Sequence, residues 1–585
     1  MSRELFERAR AWADNDPDPD ARAELLALVD ARDEAELTDR FAGELEFGTA
    51  GLRGVIGAGT NRMNRAVVMR ATWGLAQHLV ASSSDAKSRG VVICYDGRRM
   101  SRELARDTAE VLAGAGVRVH LFDELGPTPL LAFAVTHLGC AAGVMITASH
   151  NPPEYNGYKA YWANGAQIVP PTDTEIAKAI ARAPAAKDIP REPLEAAQAA
   201  GLVSIVGDDE RAAYLAGVRG LRVRSDGDRS IAIAYTPLHG VGDRLTRAAL
   251  DGAGFAHVRS VAEQRQPDGA FPTVRFPNPE EKGAMDLVLA LARETEAALV
   301  LANDPDADRL AVAVPDGAGG YAQLTGNQVG VLLGHYLLTG GLADETRAAR
   351  DNALVIASIV SSPMLGEIAG KLGARYEETL TGFKWIANRA LELAASDGAR
   401  FVFGYEEALG YTVGELVRDK DGVSAAMIFA ELASVLAARG VPVLAHLESL
   451  YRRYGLYVST QVNLVRQGVD GAREISDMMK RLRAEPPTEI AGVRVIATSD
   501  YAAQVRRDAR GERALTLPKS NVLTFELEGG SRVIARPSGT EPKAKFYVDV
   551  REPMSEGESL AAAEARARAT MQRLGDAIVA AATTG

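Results

Sequence analysis

The amino-acid sequence predicts an α/β protein of four domains, and three observations carry that prediction. The chain has 585 residues, which at roughly 150 residues per domain corresponds to about four domains. Apolar residues make up 47% and charged residues 24%, the balance of a globular chain with several buried cores rather than of a disordered or collagen-like one. Strand-like and helix-like segments alternate in three successive stretches, and such alternation builds mostly parallel sheets.

Taken in order, residues 1–45 are charged and helix-patterned, and read as a surface helical leader. The first repeat has strands at 90–95, 118–122 and 141–147 with helices near 101–115 and 128–138. The second has a strand at 230–235, helices near 241–252 and 284–295, and a strand at 297–302. The third has a strand at 353–359, helices near 363–372 and 383–395, and a strand at 400–403. The tail changes pattern: strands at 521–528, 531–536 and 543–550, a Gly529-Gly530 hairpin turn, and an Ala/Glu/Arg helix near 557–582 predict a smaller α+β domain. The expected domains are 1–222, 223–345, 346–455 and 456–585.

Each repeat ends its last strand in an unusual polar loop: Thr147-Ala148-Ser149-His150-Asn151-Pro152-Pro153, Asn303-Asp304-Pro305-Asp306-Ala307-Asp308-Arg309, and Gly404-Tyr405-Glu406-Glu407-Ala408. Ligands of open α/β sheets bind outside the carboxyl ends of the strands, so three such domains can each offer one loop to a shared cleft.

Lys plus Arg number 66 and Asp plus Glu 77, a formal net charge of −11. That balance argues against non-specific binding to nucleic acid or anionic membrane. Any phosphate chemistry must then rest on local clusters of Arg and Lys. Cys94 and Cys140 read as small core residues, not as a disulfide framework. The start Met1-Ser2-Arg3-Glu4-Leu5 lacks an apolar core, and the most apolar stretch, 287–303, is broken by Arg293, Glu294 and Glu296. No signal peptide or membrane span is expected, and the expected location is the cytoplasm.

Asp304, Asp306 and Asp308 stand at a spacing of two. In an extended loop three such carboxylates can point at one spot. Two of them about 5 Å apart repel by roughly 3 kcal/mol at an effective dielectric near 20, so the group calls for a cation. Oxygen-only ligation without His or Cys suits Mg²⁺. The loop is not an EF-hand, because it lacks the Gly and Glu that such a loop requires.

Ser149 beside His150 is not the G-x-S-x-G elbow of a hydrolase, and a serine hydroxyl needs activation to act as a nucleophile. The loop is expected to expose that hydroxyl. Lys159 offers a cation or a base nearby. Arg536-Pro537-Ser538-Gly539-Thr540 combines a guanidinium, two hydroxyls and a glycine, a composition for an anion-binding nest with bidentate phosphate recognition. Lys543 and Lys545 share one face of the strand that follows. Gly48–Gly54 is a further Gly-rich loop, with Arg53 in it. Gly240-Val241-Gly242 is not a dinucleotide fingerprint, since Leu245 stands at the third glycine position. The segment 366–371 is not a P-loop, being one residue short and followed by Leu372.

Together, in this order, the four loops resemble the α-D-phosphohexomutase superfamily over nearly the whole chain. The length, Gly48–Gly54 and the segment 404–411 resemble most the branch of bacterial α-phosphoglucomutases and phosphopentomutase-like enzymes. The resemblance implies four domains, three of related α/β fold and a C-terminal α+β domain, around a central active-site cleft. It implies that Ser149 carries a phosphoryl group and that Asp304, Asp306 and Asp308 hold Mg²⁺ together with an oxygen of that phosphoserine. Arg53, His150 and Lys159 match active-site positions near the serine, with Lys159 a candidate general base. Glu406 is implied to grip sugar hydroxyls, with Arg309 and Lys384 contacting substrate. Arg536, Ser538, Gly539 and Thr540, with Lys545, are implied to hold the phosphate that does not react. Many hexomutases have Glu-Glu-Ser where this chain has Glu406-Glu407-Ala408, so a hydroxyl that helps hold the sugar is missing.

The implied activity is interconversion of glucose 1-phosphate and glucose 6-phosphate through glucose 1,6-bisphosphate, which also serves as activator. Phosphomannomutase and phosphopentomutase activities stay open as alternatives. A phosphatase using the same Asp cluster and a non-catalytic sugar-phosphate sensor are the rival classes. Expected partners are small sugar phosphates, with no nucleic acid and no membrane, and either a monomer or a dimer.

Overall fold

The computed structural model describes residues 2–45, 51–342, 351–466, 468–538 and 543–583. The chain forms two compact units, Met1–Val329 with Gly382–Arg439, and Gly330–Thr381 with Gly440–Gly585.

The N-terminal leader is three helices, Ser2–Asn15, Pro19–Ala31 and Glu34–Arg40. Asp18 and Asp33 cap the second and third through side-chain bonds to the backbone N–H groups of Asp20 and Glu36. The leader is more than surface: Ala9, Ala13, Leu25, Val29, Leu37 and Phe41 close a small core of their own together with Ala58.

The first α/β repeat carries a six-stranded sheet. Its central strand Val91–Tyr95 is buried at every residue and pairs in parallel with Val119–Phe122 on one side and Ala142–Ile146 on the other. A continuous apolar run is what a strand covered on both faces requires. Both cysteines are buried and free. The second repeat has a five-stranded sheet in which Ile233–Thr236 pairs in parallel with Val258–Ser260 and Leu299–Ala302. In the third repeat, Ala353–Ser358 and Arg375–Thr379 pair in parallel within the second unit. Arg400–Glu406 and Gly410–Val413 pair antiparallel within the first.

The three repeats share one further regularity. After each polar loop the chain turns back as an antiparallel strand: Tyr155–Trp162 along Ala142–Ile146, Ala311–Pro315 along Leu299–Ala302, and Gly410–Val413 along Arg400–Glu406. The loops are therefore reversals pinned on both sides. The third was expected to start at Gly404, yet Gly404, Tyr405 and Glu406 are strand residues that pair with Thr412, Tyr411 and Gly410. Tyr405 and Tyr411 stack across the pair with centroids 6.5 Å apart, which favours the strand over an open loop.

The tail adopts the expected α+β pattern. Leu523–Leu527, Arg532–Pro537 and Lys543–Glu552 form antiparallel neighbours, joined at the first turn by Gly529 and Gly530, both with positive φ. The helix Leu560–Thr583 follows. Leu456–Val465, unpredicted, adds a ten-residue strand along Lys543–Glu552. Among the described residues no single helix is long and apolar enough to cross a membrane.

Candidate active site

The Asp loop follows directly on the fully buried strand Leu299–Ala302. It is a tight turn, not the extended loop expected from the sequence. Ala307 has φ +51° and its N–H donates to the Asp304 carbonyl at 2.9 Å. Asn303 pins the turn by donating to the Arg309 carbonyl at 2.6 Å while accepting from Tyr235 (2.7 Å) and Thr246 (3.0 Å). Gly240 approaches from the side. A Cβ there would lie 2.3 Å from the Pro305 Cα, so only glycine allows the Val241 N–H to reach the Pro305 carbonyl.

The turn aims the three carboxylates at one point. Asp304, Asp306 and Asp308 are buried, and one oxygen of each lies within 4.8 Å of the others. Asp306 Oδ1 and Asp308 Oδ1 are buried with no hydrogen-bond partner. Orphaned carboxylate oxygens converging in a buried oxygen-only cluster fit a hard divalent cation. Burial and the two neighbouring carboxylates push Asp304 well above the ordinary carboxylate range. Burial works the same way on Asp308, but Lys159 and Lys420 override it and hold that group well below the range.

Ser149 reaches this cluster. Its hydroxyl donates to Asp304 Oδ2 at 2.9 Å and lies 3.0 Å from His150 Nδ1. The expectation of an exposed hydroxyl is thereby corrected: Ser149 is 3% exposed. The reason is its backbone. With φ +52° and its N–H bonded to Thr147 Oγ1, the residue turns its side chain inward towards Asp304. Arg98 secures the conformation by donating to the carbonyls of Ser149, Asn151, Pro152 and Tyr155. Arg53 donates to Asn151 Oδ1 at 2.9 Å. Burial and the Arg309 and Arg53 charges push His150 well below the usual histidine range, so its ring is neutral.

Lys159 projects from the strand Tyr155–Trp162 onto Asp306 Oδ2 (2.8 Å) and Asp308 Oδ2 (3.0 Å). Burial disfavours its charge, but the two carboxylates outweigh that effect and hold it as an ammonium. In that form Lys159 gives a proton. Acting as a base requires its proton to leave first.

Glu406, the last residue of its strand, accepts from the Gly382 N–H at 2.7 Å, and burial raises its carboxyl against the pull of Lys420. Ala408 sits at the turn of this hairpin, half-buried. Arg309 bridges Gly410 in backbone register and lies 3.9 Å from Asp304, which joins the hairpin to the Asp turn. Lys384 opens the helix Phe383–Asp397, 3.9 Å from Asp173 and stacked over Trp385, with burial lowering its pKa. In the second unit, Arg536 stands directly opposite Lys545 across two strands, and the Ser538 N–H donates to the Lys543 carbonyl. Gly539 and Thr540 lie outside the described residues, as do Gly48, Thr49 and Ala50.

Three site residues escaped the sequence reading. Thr128 donates its hydroxyl to Asp306 Oδ2 at 2.6 Å and its N–H to the Asp306 carbonyl. Arg98 holds the serine loop as described. Lys420 lies 3.1 Å from Asp308. Signals existed for two of them. Asp96-Gly97-Arg98 leaves the carboxyl end of a buried strand, and Arg418-Asp419-Lys420-Asp421 stands just before an apolar helix. Thr128 carries none, since a threonine at a helix start reads as a cap.

Comparison with known proteins gives the family. Models described as phosphoglucomutase/phosphomannomutase alpha/beta/alpha domains I, II and III match residues 44–187, 212–319 and 325–454, and the C-terminal domain of the same family matches 479–567. A Haemophilus influenzae protein named "Probable phosphomannomutase" is 43% identical over 84% of this chain and 93% of its own length. Human phosphopentomutase is 37% identical over 90% of this chain and 88% of its own length. Mouse glucose 1,6-bisphosphate synthase is 35% identical over 92% of this chain and 89% of its own length. With four consecutive domain matches and relatives of this similarity along most of its length, the chain belongs to the phosphoglucomutase/phosphomannomutase family of mutase enzymes.

Proposed function

We propose that this protein is a phosphoglucomutase, interconverting glucose 1-phosphate and glucose 6-phosphate through a phosphoserine at position 149 and a glucose 1,6-bisphosphate intermediate. The observation that carries the reading is the Ser149 hydroxyl on Asp304, inside a cluster of three carboxylates and the cations Lys159, Lys420 and Arg309. With all three carboxylates ionised, as metal ligation requires, these three cations match them in charge. A phosphoryl group on Ser149 adds a charge of about −1.5 to −2, which calls for a further cation. Asp304, Asp306 and Asp308 would hold Mg²⁺ together with a phosphoserine oxygen. Bound there, the ion supplies charge neutralisation for the transferring phosphoryl oxygens.

The chain's own groups do the rest. Arg98 and the left-handed turn at Ser149 fix the oxygen that carries the phosphoryl group. In the transfer, the bond from phosphorus to the Ser149 oxygen breaks and one to a sugar hydroxyl oxygen forms. The sugar hydroxyl gives up its proton as the new bond closes and the Ser149 oxygen takes one up as its bond to phosphorus breaks, so the serine ends as the hydroxyl that donates to Asp304. Lys159, Arg53 and Arg309 face the negative oxygens with fixed cations, and stabilisation of this kind dominates phosphoryl transfer. Glu406 accepts bonds from sugar hydroxyls. The bisphosphate then turns around and returns its other phosphate to Ser149.

Arg536, with Ser538, Gly539, Thr540 and Lys545, would hold the phosphate that does not react. The cross-strand pairing of Arg536 with Lys545 supports this, since two cations placed directly opposite favour an anion between them. Arg536→Ala is expected to raise KM for the sugar phosphate about 10- to 100-fold, the loss of charge-assisted bonds present in ground and transition states alike. Steady-state kinetics over a range of sugar phosphate check this, and an unchanged KM places the phosphate elsewhere.

For the sugar, glucose 1-phosphate is expected to be preferred, with incomplete rejection of mannose 1-phosphate. By family resemblance Glu406 meets the 3- and 4-hydroxyls, which the two sugars share. A site that does not bond the distinguishing hydroxyl discriminates weakly, whereas one built around it rejects analogues by about 10⁴ or more. A pentose reading is the second, favoured by Ala408 and by the similarity to human phosphopentomutase. Measuring kcat/KM for glucose, mannose and ribose 1-phosphates, each with its own bisphosphate, decides between them. A win for ribose 1-phosphate removes the glucose assignment and leaves the mutase reading.

A further inference from the structure

Lys420 joins the Asp turn to the hairpin that carries Glu406. Its ammonium lies 3.1 Å from Asp308 Oδ2 and 5.8 Å from the centroid of the Phe383 ring. Its stem fills the space left by Gly410, where a Cβ would meet the Lys420 Cδ at 2.4 Å. A long, flexible side chain in such a place needs a fixed base, because each of its rotatable bonds otherwise spreads the charge over several positions.

That base is Asp419. It is 1% exposed. Its Oδ2 accepts from the Tyr161 hydroxyl at 2.7 Å and from Gln167 Nε2 at 2.6 Å. Its Oδ1 accepts the Lys420 backbone N–H at 2.7 Å and faces the Lys420 ammonium at 3.6 Å. Tyr161 and Gln167 are themselves bridged in backbone register. Tyr161 is two residues beyond Lys159 on one strand, so both side chains leave the same face. One strand therefore sends Lys159 to Asp306 and Asp308, and Tyr161 to the carboxylate beneath Lys420.

We propose that Asp419, clamped by Tyr161 and Gln167, is a positioning residue that sets Lys420 against Asp308, so that the two lysines meet the phosphoryl-transfer site at a fixed separation. A buried carboxylate costs desolvation and is tolerated where its bonds are satisfied; here the satisfied network ends on a cation of the site. The proposal rests on the mutase reading, in which a misplaced cation lowers the rate of the chemical step more than the affinity for substrate.

The test uses the full chain. Asp419→Asn and Tyr161→Phe are each made in the parental protein and in Lys420→Met, and kcat, KM and Tm are measured with the best of the three sugar 1-phosphates. In the parental protein, Asp419→Asn is expected to lower kcat by about 30-fold and Tyr161→Phe by about 5-fold, with KM changed by less than about threefold. In Lys420→Met both effects are expected to shrink to within about twofold, because residues acting through one group do not add. Tyr161→Phe keeps the ring and its packing, so it reads the positioning role even where Asp419→Asn destabilises the fold. Effects of full size in Lys420→Met, or parental kcat in both single variants, overturn the positioning role and leave the mutase reading standing. A parental protein without turnover on any of the three sugars overturns the mutase reading and this proposal with it.

Discussion

Ser149→Ala is expected to lower mutase turnover by at least ~10⁴-fold, the scale on which loss of a covalent nucleophile acts. No other hydroxyl or thiol on the serine loop reaches the Asp cluster in the described residues. The residual rate must be measured on protein made in cells lacking any related mutase. The same loss appears in intact-protein mass spectra. Incubation with glucose 1,6-bisphosphate adds one phosphate to the parental chain and none to the variant. Stability also changes, because the hydroxyl is buried and donates to Asp304. Removing that bond costs on the order of 1–3 kcal/mol, a lowered Tm in a protein still folded. Near-parental turnover in the variant removes Ser149 from the mechanism.

Asp306→Asn is expected to lower turnover by about 10²-fold or more, beyond the loss typical of groups that only support a metal ligand. The substitution keeps the shape and an acceptor for Thr128, but removes one of three charges and the carboxylate that faces Lys159 at 2.8 Å. Lys159, left with Asp308 alone at 3.0 Å, then carries a less fully offset positive charge where a cation has to bind. Partial rescue by raised Mg²⁺ is expected, and chelation of the parental protein is expected to abolish turnover. Parental activity that survives exhaustive chelation removes the metal from the reading.

Much of this site was legible in the order of residues along the chain. A buried strand announces itself by an apolar run, and the polar loop after it needs only to be noticed, as with Ser149 and the three aspartates. The reversals after those loops were not legible. Tyr155–Trp162 mixes polar and apolar residues because it pairs with two neighbours and carries Lys159 and Tyr161 into the interior. Its lysine reads as a surface residue until Asp306 and Asp308 are placed beside it. The conformation of the loops was not legible either. Three carboxylates at a spacing of two suit an extended chain or a tight turn equally well. The bonds of Asn303 and the close approach of Gly240 to Pro305 select the turn.

The family, the alternation of strands and helices, and the candidate groups for the chemistry are all readable along the chain. The alternation follows from local composition and spacing, and the family and its candidate groups from the resemblance of the four loops in their order. The fold alone buries Ser149 on Asp304, pairs the Lys159 ammonium with two carboxylates, and sets Lys420 between Asp308 and Asp419. Ser149 and Asp304 are separated by 155 positions, and Tyr161 and Asp419 by 258. Contacts at such separations leave no periodic trace in the chain, because they are set by which strands share a sheet and which turns face one another.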